Sequence, residues 1–393
     1  MMYISVDNDH HTSLALLLIA KNLWSKGDLL FIAHRSPRNR IVETCGYSLE
    51  KVDIHPLCSG RSFKNPSSYW KSWLHQMRLR RSFEFKPDDV LLVTTEYEIN
   101  NALLARQMRR AGGRVYLFDE GIGFYFNNSP FHDARVTALD KFYLQLYNLA
   151  FGLLNIPAYA KKGFEGRMYV RIKDAFIDRI YSRMRLPINR PGPIHGYRNF
   201  LASEEAVQQK NENVAIFFAN NLGCFGLKDE DLQMSASTVE RMATSFEKIY
   251  LKIHPADWLE KNEIYDFYMQ LVEAHDNIHL IDNALTGNEA IEQFRPRIVV
   301  GTIGSTMFDA FFFGCQPIFL FQFLPTIREF DICRFTLDNI GYRYIKSIEE
   351  VGPNYNCEVD ISALIYEEDG SPLRHLDVSA VPAVTATSQA RPE

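Results

Sequence analysis

The sequence predicts an α/β protein built from two doubly wound domains that face a central cleft. Three observations carry this. Apolar runs of strand length alternate with helical periodicities from the first residues onward. A loop with three prolines in seven residues, Pro187-Ile188-Asn189-Arg190-Pro191-Gly192-Pro193, interrupts the alternation, and a second alternating series follows it. Strands that alternate with helices imply parallel sheets covered on both faces, here Rossmann-like. With 393 residues, 46% of them hydrophobic, the chain can fill two cores.

Residues 3–6 and 29–33 read as strands with a helix over residues 12–24 between them. Strand 89–95, helix 99–111 with Gly112-Gly113 at its end, and strand 115–118 repeat the pattern. Residues 134–186 read as helical, aromatic and basic, with ten Lys/Arg against four acids. That balance suits a solvated face or a site for an anionic membrane leaflet or glycan. After the proline loop come strand 213–219, helix 235–246, strand 249–253, helix 258–274, strand 278–281, helix 288–294, strand 297–301, helix 305–313 and strand 317–321. The expected domains are therefore residues 1–190 and 191–368, with 369–393 a disordered tail.

A net charge of −5 argues against a general nucleic-acid binder. The six cysteines contain no C-x-x-C pair, which reads as reduced thiols in a cytoplasm rather than a disulfide framework or a zinc site. The amino terminus lacks the pattern of a secretory signal, and no apolar run reaches about 18 residues, the length that reads as a membrane span. The expected location is cytoplasmic, with peripheral contact to the inner face of the membrane through 134–186.

Chemistry concentrates at strand ends. The strand ending at Phe118 runs into Asp119-Glu120-Gly121-Ile122-Gly123. One carboxylate there can take a proton from a hydroxyl while the other orients it, and Gly121 and Gly123 admit a bulky ligand. Strand 249–253 delivers Lys252 and His254 ahead of Pro255, a pairing suited to a phosphate oxygen. Strand 297–301 turns through Gly304 into Ser305 and Thr306 at a helix amino terminus, a ready anion site. Plain strand termination and helix capping are the structural readings of these motifs. Asn220 and Asn221 follow the first strand of the second domain and read equally as turn residues. Asp7, Asp9, His10 and His11 are metal ligands by type, yet helix capping is the simpler reading, and no metal is expected.

Acid-acid-Gly-x-Gly, Lys-x-His-Pro and Gly-Ser-Thr in this order resemble bacterial sialyltransferases and polysialyltransferases of glycosyltransferase type B, most of all the capsule and lipooligosaccharide groups. The resemblance covers roughly residues 89–125 and 213–322. It implies an inverting transfer of sialic acid or a related nonulosonic acid from a CMP-activated donor to a sugar hydroxyl of a surface glycan such as capsule, lipooligosaccharide or O-antigen, without a cofactor. Glu120, or alternatively Asp119, is then the general base. His254 stabilises the departing CMP phosphate, which Ser305 and Thr306 also bind, and Glu289 is placed where similar enzymes hold ribose or cytosine. Ala256 departs from the pattern, standing where many relatives carry a basic residue. The donor stays open among sialic, pseudaminic, legionaminic and Kdo-type sugars. A type B enzyme using another nucleotide sugar, and a non-catalytic glycan or membrane-surface module, are the competing readings.

Overall fold

The computed structural model describes residues 1–20, 29–34, 40–57, 65–95, 98–118, 137–162, 168–182, 184, 194–196 and 209–359. In the first domain, strands β1 (Met2–Val6), β2 (Leu29–His34), β3 (Ser48–Val52), β4 (Val90–Val93) and β5 (Arg114–Phe118) alternate with helices α1 (Asp9–Ala20), α2 (Arg40–Thr44), α3 (Pro66–Ser82) and α4 (Ile99–Arg110). Helix α5 (Ala138–Leu153) follows, then an antiparallel pair, β6 (Ala158–Lys162) with β7 (Met168–Ile172). Strands β8 (Arg179–Ser182) and β9 (Ile194–Gly196) return to the main sheet, whose order is β3-β2-β1-β4-β5-β8-β9, parallel throughout.

The second domain repeats the design. Strands β10 (Asn211–Phe218), β11 (Lys248–Lys252), β12 (Ile278–Leu280), β13 (Pro296–Gly301) and β14 (Gln316–Phe319) form a parallel sheet in the order β12-β11-β10-β13-β14. Its helices are α6 (Lys228–Ser245), α7 (Pro255–Glu260), α8 (Glu263–Ala274), α9 (Gly287–Phe294), α10 (Ser305–Phe312) and α11 (Arg328–Asn339). Both sheets share one central order, reversing direction between β1 and β4 and between β10 and β13. A doubly wound sheet opens its ligand crevice at such a reversal, outside the carboxyl ends of the strands.

The central strands β1, β2 and β4 are buried on both faces and read as apolar runs, whereas the edge strand β3 is largely exposed. Ile4, Phe31, Leu91, Leu92, Val115 and Leu117 fill the first core; Ala215, Ile216, Phe217, Leu251, Val299 and Val300 fill the second. Asp178, just ahead of β8, ties that strand to β5, accepting the Val115 N–H at 2.8 Å and pairing with Arg109 of α4.

Three expectations change. The segment expected to be wholly helical stays so only to Leu153: Asn155 adopts φ 55°, and an alternating Met168-Tyr169-Val170-Arg171-Ile172 forms β7 instead. The expected helix 258–274 is two helices, because Lys261 takes φ 48° and Asn262 caps α8 by accepting the Ile264 and Tyr265 N–H groups. Strand β9 pairs with β8, so the first sheet extends past residue 190, where the domain boundary was read. Helices α2, α3 and α11 and strand β3 are additions to the sequence reading. The proline loop 187–193 and the tail 369–393 lie outside the described residues.

Gly113 makes a checkable contact. A Cβ there would overlap the Met108 sulfur and stand 2.8 Å from the Asp89 carbonyl oxygen, so α4 and the turn into β5 close only around glycine. Gly113→Ala is expected to cost about 1–3 kcal/mol by overpacking. Urea denaturation reads this as a lowered midpoint, and an unchanged midpoint contradicts the packing.

Candidate functional site

The carboxyl ends of β10, β11 and β13 meet the β1–α1 turn of the first domain around a cleft of about 380 Å³. From the second domain the cleft takes Asn220, Lys252, His254, Pro255, Gly304, Ser305 and Thr306, the expected residues from three separate strand ends. Asn8, Asp9 and His10 line it from the first domain. Ser13 donates across the gap to Glu289 at 3.5 Å.

His254 is held by its own helix. It is the N-cap of α7, with Nδ1 accepting the Ala256 N–H at 3.3 Å, and Pro255 occupies the first helical position, where a missing N–H costs nothing. A neutral ring with Nδ1 accepting carries its proton on Nε2 and is therefore a donor on that side. Lys252 is almost fully buried and reaches Asn283 at 3.5 Å.

The phosphate-type loop is shaped by glycine. Gly304 precedes α10 with φ 152°, a backbone that side chains disfavour, and supplies no capping side chain. Gly304, Ser305, Thr306 and Met307 line the cleft, so the amino-terminal end of α10 lies at it with the helix dipole behind, while the Met307 N–H donates to the Gly304 carbonyl at 3.2 Å. By contrast, α9 is closed by a capping box in which Thr286 and Glu289 satisfy each other's backbone N–H groups. Glu289 is thus occupied at the helix start, and its neighbours Thr286 and Gly287 line the cleft. A Cβ on Gly287 would come within 2.5 Å of the Thr306 hydroxyl, and Asn288 donates to buried Asp309 at 3.1 Å, so α9 and α10 lock together.

Two carboxylates underlie the cleft. Asp231 accepts from Thr302 at 3.0 Å; burial pushes it up to about 7, against the hydrogen bonds of Thr302 and the Leu222 backbone. Asp257 accepts from Asn221 at 3.0 Å and from Asn262 at 2.8 Å. Asn221 is accordingly turned to this buried acid, while Asn220 lines the cleft. Asp119, Glu120, Gly121 and Gly123 lie outside the described residues; in sequence they follow directly on Phe118, at the carboxyl edge of the first sheet.

The model of the alpha-2,8-polysialyltransferase (POLYST) family matches residues 34–320. The chain belongs to that family. It is a glycosyltransferase, and its two facing doubly wound domains are the type B arrangement. Among solved structures it is similar to MurG of Acinetobacter baumannii, at 13% identity and TM-score 0.46 over 90% of this chain and 87% of that one. It is similar also to the spinosyn rhamnosyltransferase SpnG complexed with thymidine diphosphate, at 13% identity and TM-score 0.47 over 88% and 86%. A putative UDP-N-acetylglucosamine 2-epimerase from Listeria monocytogenes follows at 12% identity and TM-score 0.44 over 81% and 78%. No curated protein matches the sequence.

The first domain holds a polar cluster that sequence reading missed. His34 Nδ1 accepts from Asn100 at 3.2 Å, so its Nε2 proton faces Ser5 at 3.0 Å and Asp7 at 3.3 Å. His75 donates to Asn100 at 2.8 Å, and His55 to Ser72 at 2.9 Å. These residues come from five separate segments, and no local pattern announces them. Among the described residues no three His, Cys, Asp or Glu side chains form a group that could hold a metal ion.

Burial lowers all three histidines, His55 to about 3, where the neighbouring His75 adds to the effect. His55 stays neutral in the fold while in the unfolded chain it protonates near its ordinary 6.5. For His55 the unfolded state then binds more protons, so stability falls as pH drops below 6.5 toward the folded value, by up to about 1.4 kcal/mol per pH unit, and His34 and His75 act in the same direction. Thermal melts from pH 7.5 to 5 are expected to show this slope, and His55→Gln to flatten it; a melt independent of pH contradicts neutral burial.

Proposed function

We propose that the protein is an inverting glycosyltransferase that moves sialic acid or a related nonulosonic acid from a CMP-activated donor to a sugar hydroxyl of a bacterial surface glycan. The carrying observation is the convergence of the His254 imidazole and the amino terminus of α10 on one cleft in a member of this family. The acceptor oxygen bonds to the anomeric carbon as the bond from that carbon to the phosphate oxygen breaks. The acceptor proton passes to Glu120 or Asp119, and CMP leaves with an added negative charge. His254, Lys252 and the first-turn N–H groups with Ser305 and Thr306 take up that charge, so the reading calls on no metal. Asn220 and Pro255 shape the same wall, and Glu289 stands behind it through Thr286. The described lining contains one lysine and no arginine, which suits the single phosphate of CMP better than the diphosphate of a UDP- or GDP-sugar.

A cytoplasmic location, with peripheral contact to the inner leaflet, goes with this reading. Leu139, Phe142, Leu149 and Leu153 lie exposed along one stripe of α5, Leu153 at 80%. Trp70 and Trp73 stack at 5.0 Å on α3, close to α5, since Tyr69 helps burial raise the Tyr147 phenol. Lys71, Arg78, Arg80, Arg81 and Lys141 are exposed on the same two helices. Aromatic and aliphatic side chains beside basic ones suit an anionic bilayer interface. The expected role of 134–186 narrows accordingly: Arg171 pairs with Asp174 and Arg179 lies over the Tyr116 and Tyr181 rings, so neither is a free surface charge. Among the described residues no helix is long and apolar enough to cross a membrane.

Incubation with CMP-sialic acid and a sialylated acceptor is expected to release CMP. His254→Ala should lower turnover about 100- to 1000-fold, as loss of a charge-stabilising donor does. Of Glu120→Ala and Asp119→Ala, the one that removes the base should abolish acceptor-dependent transfer. Equal release by all variants overturns the reading, and consumption of a UDP-sugar instead selects the competing enzyme class.

Liposome sedimentation checks the surface. Anionic vesicles should retain the protein at low salt and lose part of it at high salt, and a Trp70→Ala, Trp73→Ala double variant should bind less at both. Sedimentation that ignores lipid charge and these substitutions removes the membrane assignment.

A further inference from the structure

We propose that Asp257 is a positioning residue for His254, accepting a hydrogen bond from Nδ1–H when the imidazole becomes imidazolium against a bound phosphate. The inference rests on the donor reading above. Asp257 is fully buried one turn along from His254, at 0% exposure. Its Oδ1 accepts from the side-chain amides of Asn221 and Asn262, at 3.0 Å and 2.8 Å, which fix the carboxylate plane. Its Oδ2 has no hydrogen-bond partner among the described residues, and that oxygen stands 4.0 Å from His254 Nδ1. An unsatisfied carboxylate oxygen in a dry site is costly, and a cation beside it is the group that removes the cost.

Two states of the histidine follow. In the neutral ring Nδ1 accepts the Ala256 N–H at 3.3 Å and caps α7. In the imidazolium Nδ1 carries a proton, so the cap bond is lost and a small ring shift brings Nδ1 from 4.0 Å to the charge-assisted length of about 2.8 Å from Oδ2. Nε2–H then faces the phosphate. One proton is taken from solvent, and none is transferred to Asp257. Among the described residues of the cleft and its floor, the other charged or titratable groups are Lys252 on β11, Asp231 on α6, and Asp9 and His10 across the cleft. Lys252 opposes protonation of the ring, Asp9 favours it, and Asp231, pushed up to about 7, is largely neutral near pH 6; Asp257 places an oxygen 4.0 Å from the ring nitrogen.

The test compares wild type, Asp257→Asn, His254→Asn and the double variant, all full length. Asp257→Asn keeps an oxygen to accept from Asn221 and Asn262 while deleting the charge. In ligand-free protein with labelled histidines, NMR titration should place the His254 midpoint at lower pH in Asp257→Asn than in wild type; an unmoved midpoint overturns the proposal. Calorimetry with CMP should show about tenfold weaker binding for Asp257→Asn near pH 6, roughly 1.4 kcal/mol. In the His254→Asn background the same substitution should cost nothing further, and an equal loss there reduces Asp257 to a structural part and overturns the proposal. If wild type does not bind CMP, the donor reading fails, while the titration still decides the pairing of Asp257 with His254.

Discussion

A parallel sheet covered by helices on both faces leaves polar side chains almost nowhere to go except the ends of its strands. That constraint organises the protein. β10, β11 and β13 are apolar through their central, buried residues, and polar residues gather where the chain leaves the sheet: Asn220, His254, Thr302 and Ser305. Because the sheet reverses its winding between β10 and β13, those ends splay apart and the space between them is the cleft. The apolar packing that stabilises the domain and the polar site that acts on a ligand are two results of one arrangement.

Local chemistry then decides which groups face the cleft. α9 and α10 both begin beside it, yet they present different surfaces. The capping box of Thr286 and Glu289 closes the first, whereas Gly304 leaves the second without a capping side chain. The buried Asp231 and Asp257 continue the logic downward, tying the turns after β10, β11 and β13 together through Thr302, Asn221 and Asn262. The floor thus holds two buried acids whose hydrogen bonds fix the turns that carry the cleft wall. In the first domain His34 at the end of β2 meets Asn100 of α4, which also accepts from His75 of α3, and burial lowers both imidazoles against their hydrogen bonds.

Legibility followed the range of the interactions. His254-Pro255 and Gly304-Ser305-Thr306 were readable because a strand followed by a turn residue and a helix cap is a local pattern, and each stands where it was expected. The break at Lys261-Asn262 was hidden by an apolar periodicity that runs through it, since a left-handed residue followed by a cap leaves the amphipathic stripe nearly in phase. The hairpin of β6 and β7 was hidden by neighbouring basic and aromatic residues that also suit a helix. Glu289 was singled out through the resemblance, but its carboxylate accepts the N–H of Thr286, three residues earlier, and so closes the helix start.

By itself the sequence determined the succession of strands and helices, the two-domain plan and the positions where polar groups interrupt apolar strands, because hydrophobic periodicity and turn chemistry act over a few residues. Tertiary structure alone decided which strand ends meet, that Asn221 turns inward to Asp257 while Asn220 faces the cleft, and that Asn8, Asp9 and His10 close the opposite wall. Those outcomes depend on sheet order and on the approach of the two domains. Both are set by burial summed over residues far apart in the chain, for which no short stretch carries a signal.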